Sequence, residues 1–167
     1  QKAVELFQKG GMKREMYALV GDAFLDKKDY TNAQSNYSRC DKPEKKEGMK
    51  KLAEAYVEDA FSGEEKNEAK LLRKAMDYYG KADATKEGAR AIGDRYYERG
   101  ASAYPKALEY YIIGEAAVKL EQMAKEYSDK GEDGKAAETY LKLKTREGAK
   151  KAGDIYYNRN EFQKAIE

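Results

Sequence analysis

The chain has 167 residues, the size of one domain, and its 33 Lys and Arg against 31 Asp and Glu leave a net charge of only +2, although 38% of residues are charged. That balance excludes bulk electrostatic capture of nucleic acid, which needs a clustered basic surface. His is absent and Cys40 is the one cysteine, so Ser-His-Asp and Cys-His catalysis, an intrachain disulfide and a zinc site of the usual ligands are all ruled out for this chain.

Gln1 to Gly10 reads as a short amphipathic helix with Ala3 and Phe7 on one face. From Met12 to Asp26, Tyr17, Val20, Gly21 and Phe24 recur at i, i+3, i+4, i+7, one stripe of a helix. A polar turn follows, and Tyr30, Ala33, Tyr37 and Cys40 form a second stripe. The pair of stripes then repeats. Met49, Leu52, Ala53 and Tyr56 are answered by Leu72, Ala75, Tyr79 and Ala82, with about ten extra residues between them that predict two lengthened helices. Ala89, Ile92, Gly93 and Tyr96 precede Tyr104, Ala107, Tyr111 and Gly114. Leu120, Met123, Ala124 and Tyr127 precede Ala137 and Leu141, and Ala149, Ala152, Gly153 and Tyr156 precede Phe162 and Ala165. Pro43 and Pro105 sit where a first helical turn tolerates a missing N–H.

The spacing predicts eleven helices and no strand, over 1–10, 12–26, 29–41, 43–61, 64–82, 85–100, 103–114, 115–131, 133–144, 145–159 and 160–167. These group into a second helix of an incomplete repeat (1–10) and five repeats: 12–41, 43–82 (lengthened), 85–114, 115–144 and 145–167 (cut short). Aromatic anchors Phe24, Tyr56, Tyr96, Tyr127 and Tyr156 are 32, 40, 31 and 29 residues apart. Three repeats even open alike: KEGMKK at 46–51, KEGARA at 86–91 and REGAKK at 146–151. An unpaired opening helix and an interrupted last repeat are expected of a segment from a longer array.

Leu, Ile, Val and Phe make up only about 14% of the chain, below the level of roughly 20% usual for a packed core. Tyr and Ala fill the gap, Ala letting helices approach closely and Tyr bringing area with a polar tip. No apolar run approaches the length of a membrane span.

The repeated Gly or Ala with an aromatic one turn later resembles the tetratricopeptide repeat family, whose unit is a pair of antiparallel helices of about 34 residues. Sel1-like helix-pair solenoids share the pattern. Repeat one carries Tyr17, Val20-Gly21, Phe24, Ala33, Tyr37 and Cys40, and repeat three carries Ile92-Gly93, Tyr96, Ala107 and Tyr111. The family's opening Trp is absent, its closing Pro is lost or displaced, and the spacing is irregular. The resemblance implies an all-α, right-handed superhelical solenoid of antiparallel helix pairs, in which neighbours must stack because no pair buries its stripe alone.

Asp129 to Gly134 opens like a calcium loop, but Gly131 and Tyr140 stand where oxygen ligands are needed, so it reads as a turn. The lysines at 42, 45, 46, 50 and 51 are interleaved with Glu44 and Glu47, a solvated helix face. No phosphate-cradling motif occurs. No cofactor and no nucleic-acid partner are expected.

Proteins of this family bind peptides or partner helices in the groove lined by each repeat's first helix. The slot after the Gly or Ala holds Asp22, Glu54, Asp94, Lys125 and Asp154, and one turn later come Asp26, Glu58, Glu98, Asp129 and Asn158. Asp22, Asp26, Glu54, Glu58, Asp94, Glu98 and Asp154 thus form an acidic ladder, with Tyr97 and Tyr157 as aromatic contacts beside it. The resemblance implies a non-catalytic protein-interaction scaffold that prefers a basic or mixed-charge peptide. The same acids also fit ordinary solvated surface, neutralised through Lys50–Glu54, Arg90–Asp94 and Lys150–Asp154 at i, i+4. A helical accessory segment packing in cis within a larger enzyme or transport or secretion assembly is the other reading.

Overall fold

The computed structural model describes residues 14–63 and 65–166. Among them the chain is all α-helical, with ten α-helices and no strand. In order these are α1 (Arg14–Leu25), α2 (Tyr30–Tyr37), α3 (Lys42–Ser62), α4 (Glu65–Lys81), α5 (Thr85–Glu98), α6 (Tyr104–Ile113), α7 (Ala117–Asp129), α8 (Asp133–Lys142), α9 (Arg146–Asn158) and α10 (Phe162–Ile166), with a 3-10 turn at Ala101–Ala103 before α6. The helix expected over 1–10, with its Ala3 and Phe7 face, lies outside the described residues. The chain forms two compact units, residues 1–88 and 89–167, and the boundary falls inside α5.

Local chemistry sets the helix ends. The Asp29 side chain caps α2 by accepting from Asn32 N at 3.1 Å. Thr145 Oγ1 caps α9 by accepting from Gly148 N at 3.0 Å. Pro43 and Pro105 stand in the first turns of α3 and α6. The extra residues of the second repeat lie in helix, since α3 has 21 residues and α4 has 17.

Five turns close in the same way. Lys28, Asp83, Glu115, Gly131 and Asn160 adopt positive φ, and the next residue's N–H returns to a carbonyl five residues back. The accepting carbonyls belong to Phe24, Tyr79, Tyr111, Tyr127 and Tyr156, at 2.9, 2.8, 2.9, 2.8 and 2.9 Å. This is the Schellman arrangement, which satisfies carbonyls left over at a helix end. The aromatic that packs the stripe therefore also carries the capped carbonyl.

In the unit of residues 1–88, α3 packs on α4 and touches both α1 and α2. Its buried core includes Ala33, Tyr37, Met49, Leu52, Ala53, Tyr56, Leu72, Ala75, Tyr78 and Tyr79. Tyr56 stacks on Tyr78 with ring centroids 5.5 Å apart and planes 7° from parallel. In the unit of residues 89–167, successive helices from α6 to α10 pack on one another. Ala124, Ala137, Tyr140, Ala152 and Tyr156 form one buried cluster there.

Two stripes differ from the expected register. In α8 the buried aromatic is Tyr140, while Leu141 faces solvent. In α9 Gly148 is buried and Ala149 exposed. Both slips arise where two small or apolar residues are adjacent, so periodicity alone does not choose between them.

Candidate functional site

Tyrosine–carboxylate contacts built on glycine dominate the polar structure of both units. In residues 1–88, a Cβ on Gly21 would stand 2.5 Å from the Tyr37 ring. Without one, the ring lies against α1, and its hydroxyl donates to Asp22 Oδ1 at 2.7 Å. Gly48, in the first of the shared repeat openings, is backed onto the same ring, so Tyr37 is gripped between two glycines and is 1% exposed. Lys51 Nζ from α3 then closes on both Asp22 oxygens at 2.9 and 3.0 Å. Burial, and then the hydrogen bond to Asp22, push the Tyr37 phenol well above its ordinary pKa.

Residues 89–167 contain the same arrangement. Tyr111 covers Gly93, whose Cβ would be 2.7 Å from the ring, and its hydroxyl donates to Asp94 Oδ1 at 2.7 Å. Lys119 Nζ from α7 reaches the same oxygen at 2.9 Å. Burial and the Asp94 hydrogen bond again raise the phenol. Glu126 on α7 gathers a second cluster, accepting from the Tyr104 hydroxyl at 2.6 Å, from the Tyr97 hydroxyl, and from Gln122 Nε2 at 3.2 Å. Desolvation pulls the Glu126 carboxyl up, but these donors outweigh it and hold it below the usual range. Tyr97 also stacks on Tyr104, with centroids 5.1 Å apart and planes 7° from parallel.

The nine residues expected to line a groove therefore have different roles. Asp22, Asp26, Glu54 and Glu58 belong to one unit, and Asp94, Tyr97, Glu98, Asp154 and Tyr157 to the other. Asp22 and Asp94 are tied between helices, and Tyr97 is held in the Glu126 cluster. Asp26, Glu54, Glu58, Glu98, Asp154 and Tyr157 are exposed. Two of the cations assigned to i, i+4 neutralisation reach further: Lys50 Nζ pairs with Glu87 at 2.7 Å, and Arg90 Nε donates to Gly114 O at 2.7 Å.

Sequence reasoning missed Lys51, Lys119 and Glu126. Each meets partners at least 22 residues away in sequence, or on another helix, beyond the reach of local periodicity. The repeated Gly-Asp dipeptide with a tyrosine on the following helix was the available signal.

Tyr157 differs from the other described tyrosines. It is 64% exposed, on the same helix as an open concavity lined by Arg146, Glu147, Lys150, Lys151 and Asp154. Cys40 is buried with its Sγ near Asn36 O, and burial followed by nearby Glu44 and Asp41 pushes its thiol up, away from the reactive thiolate. Asp129 to Gly134 spans the last residue of α7, the turn with Gly131 at φ 72°, and the start of α8. Among the described residues no carboxylate or thiol cluster could hold a metal ion, and no helix is long and apolar enough to cross a membrane. Set against known proteins, the chain matches no family model, no curated protein and no solved structure.

Proposed function

We propose that this chain is a tetratricopeptide-like solenoid of helix pairs that acts as a non-catalytic protein-interaction scaffold. It takes a basic or mixed-charge peptide, or a partner helix, on the exposed face of its first helices. The observation that carries this reading is Tyr157. Among the described residues it is the one exposed tyrosine, in a chain that otherwise tucks its tyrosines partly or wholly into the helix packing. An aromatic side chain 64% exposed, on a helix that carries charges of both signs, has the composition of an interface anchor. Asp154, one helical turn away, and Lys150 supply the mixed charge.

Support for the repeat reading comes from Tyr37 and Tyr111. Each covers a glycine of the preceding helix, bonds the aspartate next to it, and shares that carboxylate with a lysine two helices on from the aspartate. Such recurrence is expected of repeats that stack through one interface. It also narrows the acidic ladder, because Asp22 and Asp94 are engaged in helix packing while Asp154 faces solvent.

The test is a peptide array of basic, mixed and acidic segments probed with wild type, Tyr157→Ala and Asp154→Asn. Tyr157→Ala should weaken bound peptides by tenfold or more, since aromatic anchors dominate interfaces. Asp154→Asn should cost less and lower the salt dependence. Peptides retained equally by all three proteins would move the partner off α9.

A further inference from the structure

A second concavity shares no lining residue with the one on α9. A cleft of about 370 Å³ opens between the α6–α7 turn and the end of α8, floored by Ile112, Ala117, Leu120 and Leu143. Five large apolar side chains are exposed among the described residues, and three are chain neighbours of residues that line this cleft. Ile113 follows Ile112 and is 49% exposed, Val118 follows Ala117 and is 80% exposed, and Leu141 precedes Lys142 and is 48% exposed. Scattered exposed apolar residues need no explanation, but three that each adjoin, along the chain, a residue lining one concavity with an apolar lining of four give that concavity an apolar surround.

We infer that this cleft is a docking site for an acidic amphipathic peptide segment, one that places a large apolar side chain on the floor and carboxylates against the rim. The rim sets the sign of the partner. Lys142 and Lys144 stand on it against a single carboxylate, Glu115. Lys144 and Glu115 both adopt positive φ, 54° and 49°, in the two turns beside the cleft. The volume falls within the range of sites that take a side chain or small ligand. A recessed floor with a carboxylate at its edge suits a peptide side chain better than the flat surface of an anionic membrane. The partner here has the opposite charge preference to the one proposed for the first-helix face, so the two surfaces are separable by experiment.

The probe is the fluorescein-labelled peptide Glu-Asp-Leu-Phe-Asp-Glu, read by anisotropy against Lys-Arg-Leu-Phe-Arg-Lys and Glu-Asp-Ser-Gly-Asp-Glu. The acidic apolar peptide should bind, and both comparators should bind at least about tenfold more weakly. Lys142→Glu/Lys144→Glu should weaken the probe about five- to tenfold and reduce its salt dependence. Val118→Ser/Leu141→Ser should weaken it by a similar factor with the melting temperature kept, since both side chains already face water. Tyr157→Ala should leave it unchanged. Equal binding of the basic peptide, or full affinity in both double variants, would overturn the assignment. Retention on phosphatidylserine vesicles that is lost in the same variants, without peptide binding, would assign the cleft to lipid and overturn it too.

Discussion

The Tyr111 hydroxyl donates to the Asp94 carboxylate at 2.7 Å, and the ring that delivers it lies over Gly93. Three residues meet the needs of that ring. Glycine admits it to the helix surface, the aspartate after the glycine accepts the hydroxyl's hydrogen bond, and Lys119 from α7 balances the carboxylate charge. Tyr37, Gly21, Asp22 and Lys51 repeat the arrangement in residues 1–88. A buried tyrosine hydroxyl needs a partner, and here the sequence supplies it at a fixed offset from the glycine.

Gly93 should therefore be intolerant of any side chain. Gly93→Ala sets a Cβ 2.7 Å from the Tyr111 ring, and Gly93→Leu is worse, so overpacking should cost about 1–3 kcal/mol despite the better helix propensity. Gly153, expected from its sequence slot to behave alike, is different: its added Cβ would meet nothing nearer than Ala165 O at 3.5 Å. Gly153→Ala should stabilise by up to about 1 kcal/mol. Urea melts of the two alanine variants should move in opposite directions.

The Tyr111–Asp94 bond should be measurable as a coupling. Tyr111→Phe removes a hydroxyl bonded to a charged acceptor and should cost about 1.5–3 kcal/mol at most, less here because the Asp94 side chain is 43% exposed. Asp94→Asn leaves an acceptor in place and should cost less. A double-mutant cycle should return a positive coupling, whereas Lys119→Ala alone should stay within about 1 kcal/mol of wild type. Additive single effects would mean that the pair does not act as a unit.

How much of this was legible follows from the distances in sequence. The stripe positions Ala33, Tyr37, Leu52, Leu72, Ile92 and Ala107 were readable because burial follows helical periodicity, and all are buried. The α8 stripe slipped by one residue because Tyr140 and Leu141 are both large and adjacent. The acids were readable as a recurring slot, but their engagement was not. Lys51 stands 29 residues from Asp22, so only the folded chain joins them. Left-handed Lys28, Asp83 and Glu115 were also hidden, because the residues that ordinarily mark such turns are Gly and Asn.

Those turns give the next expectation. Glu115 sits at φ 49° with the Ala116 N–H capping Tyr111 O at 2.9 Å, a geometry that glycine adopts without a Cβ penalty. Glu115→Gly should raise stability by about 0.5–1 kcal/mol, with the helical signal unchanged. A loss of stability would show that the glutamate side chain contributes more than its backbone strain costs.

The final expectation concerns pH, and the clusters fix its sign at both ends. Desolvation opposes ionisation of Glu126 and Asp59, yet hydrogen bonds from Tyr104, Tyr97 and Gln122 to Glu126, and from Lys28 and Tyr30 to Asp59, leave both carboxyls below their ordinary values of 4.5 and 3.8. A depressed acid contributes stability that is complete above its unfolded pKa and is lost as pH falls through the folded one. Tyr37, Tyr104 and Tyr111 are displaced the other way, raised above 10.0 by burial and by hydrogen bonds to carboxylates, the Glu126 bond leading at Tyr104. Their contribution is complete below 10.0 and is lost as pH rises above it. Urea midpoints should therefore be level from about pH 5 to 9 and fall on both sides. Glu126→Gln should flatten the acid limb, and Tyr111→Phe should flatten the alkaline limb without touching the acid one. Tyrosinate absorbance from Tyr37, Tyr104 and Tyr111 should appear above pH 10 and together with unfolding. A single smooth titration near pH 10 in the folded protein would mean that the tyrosine–carboxylate contacts are not closed in solution.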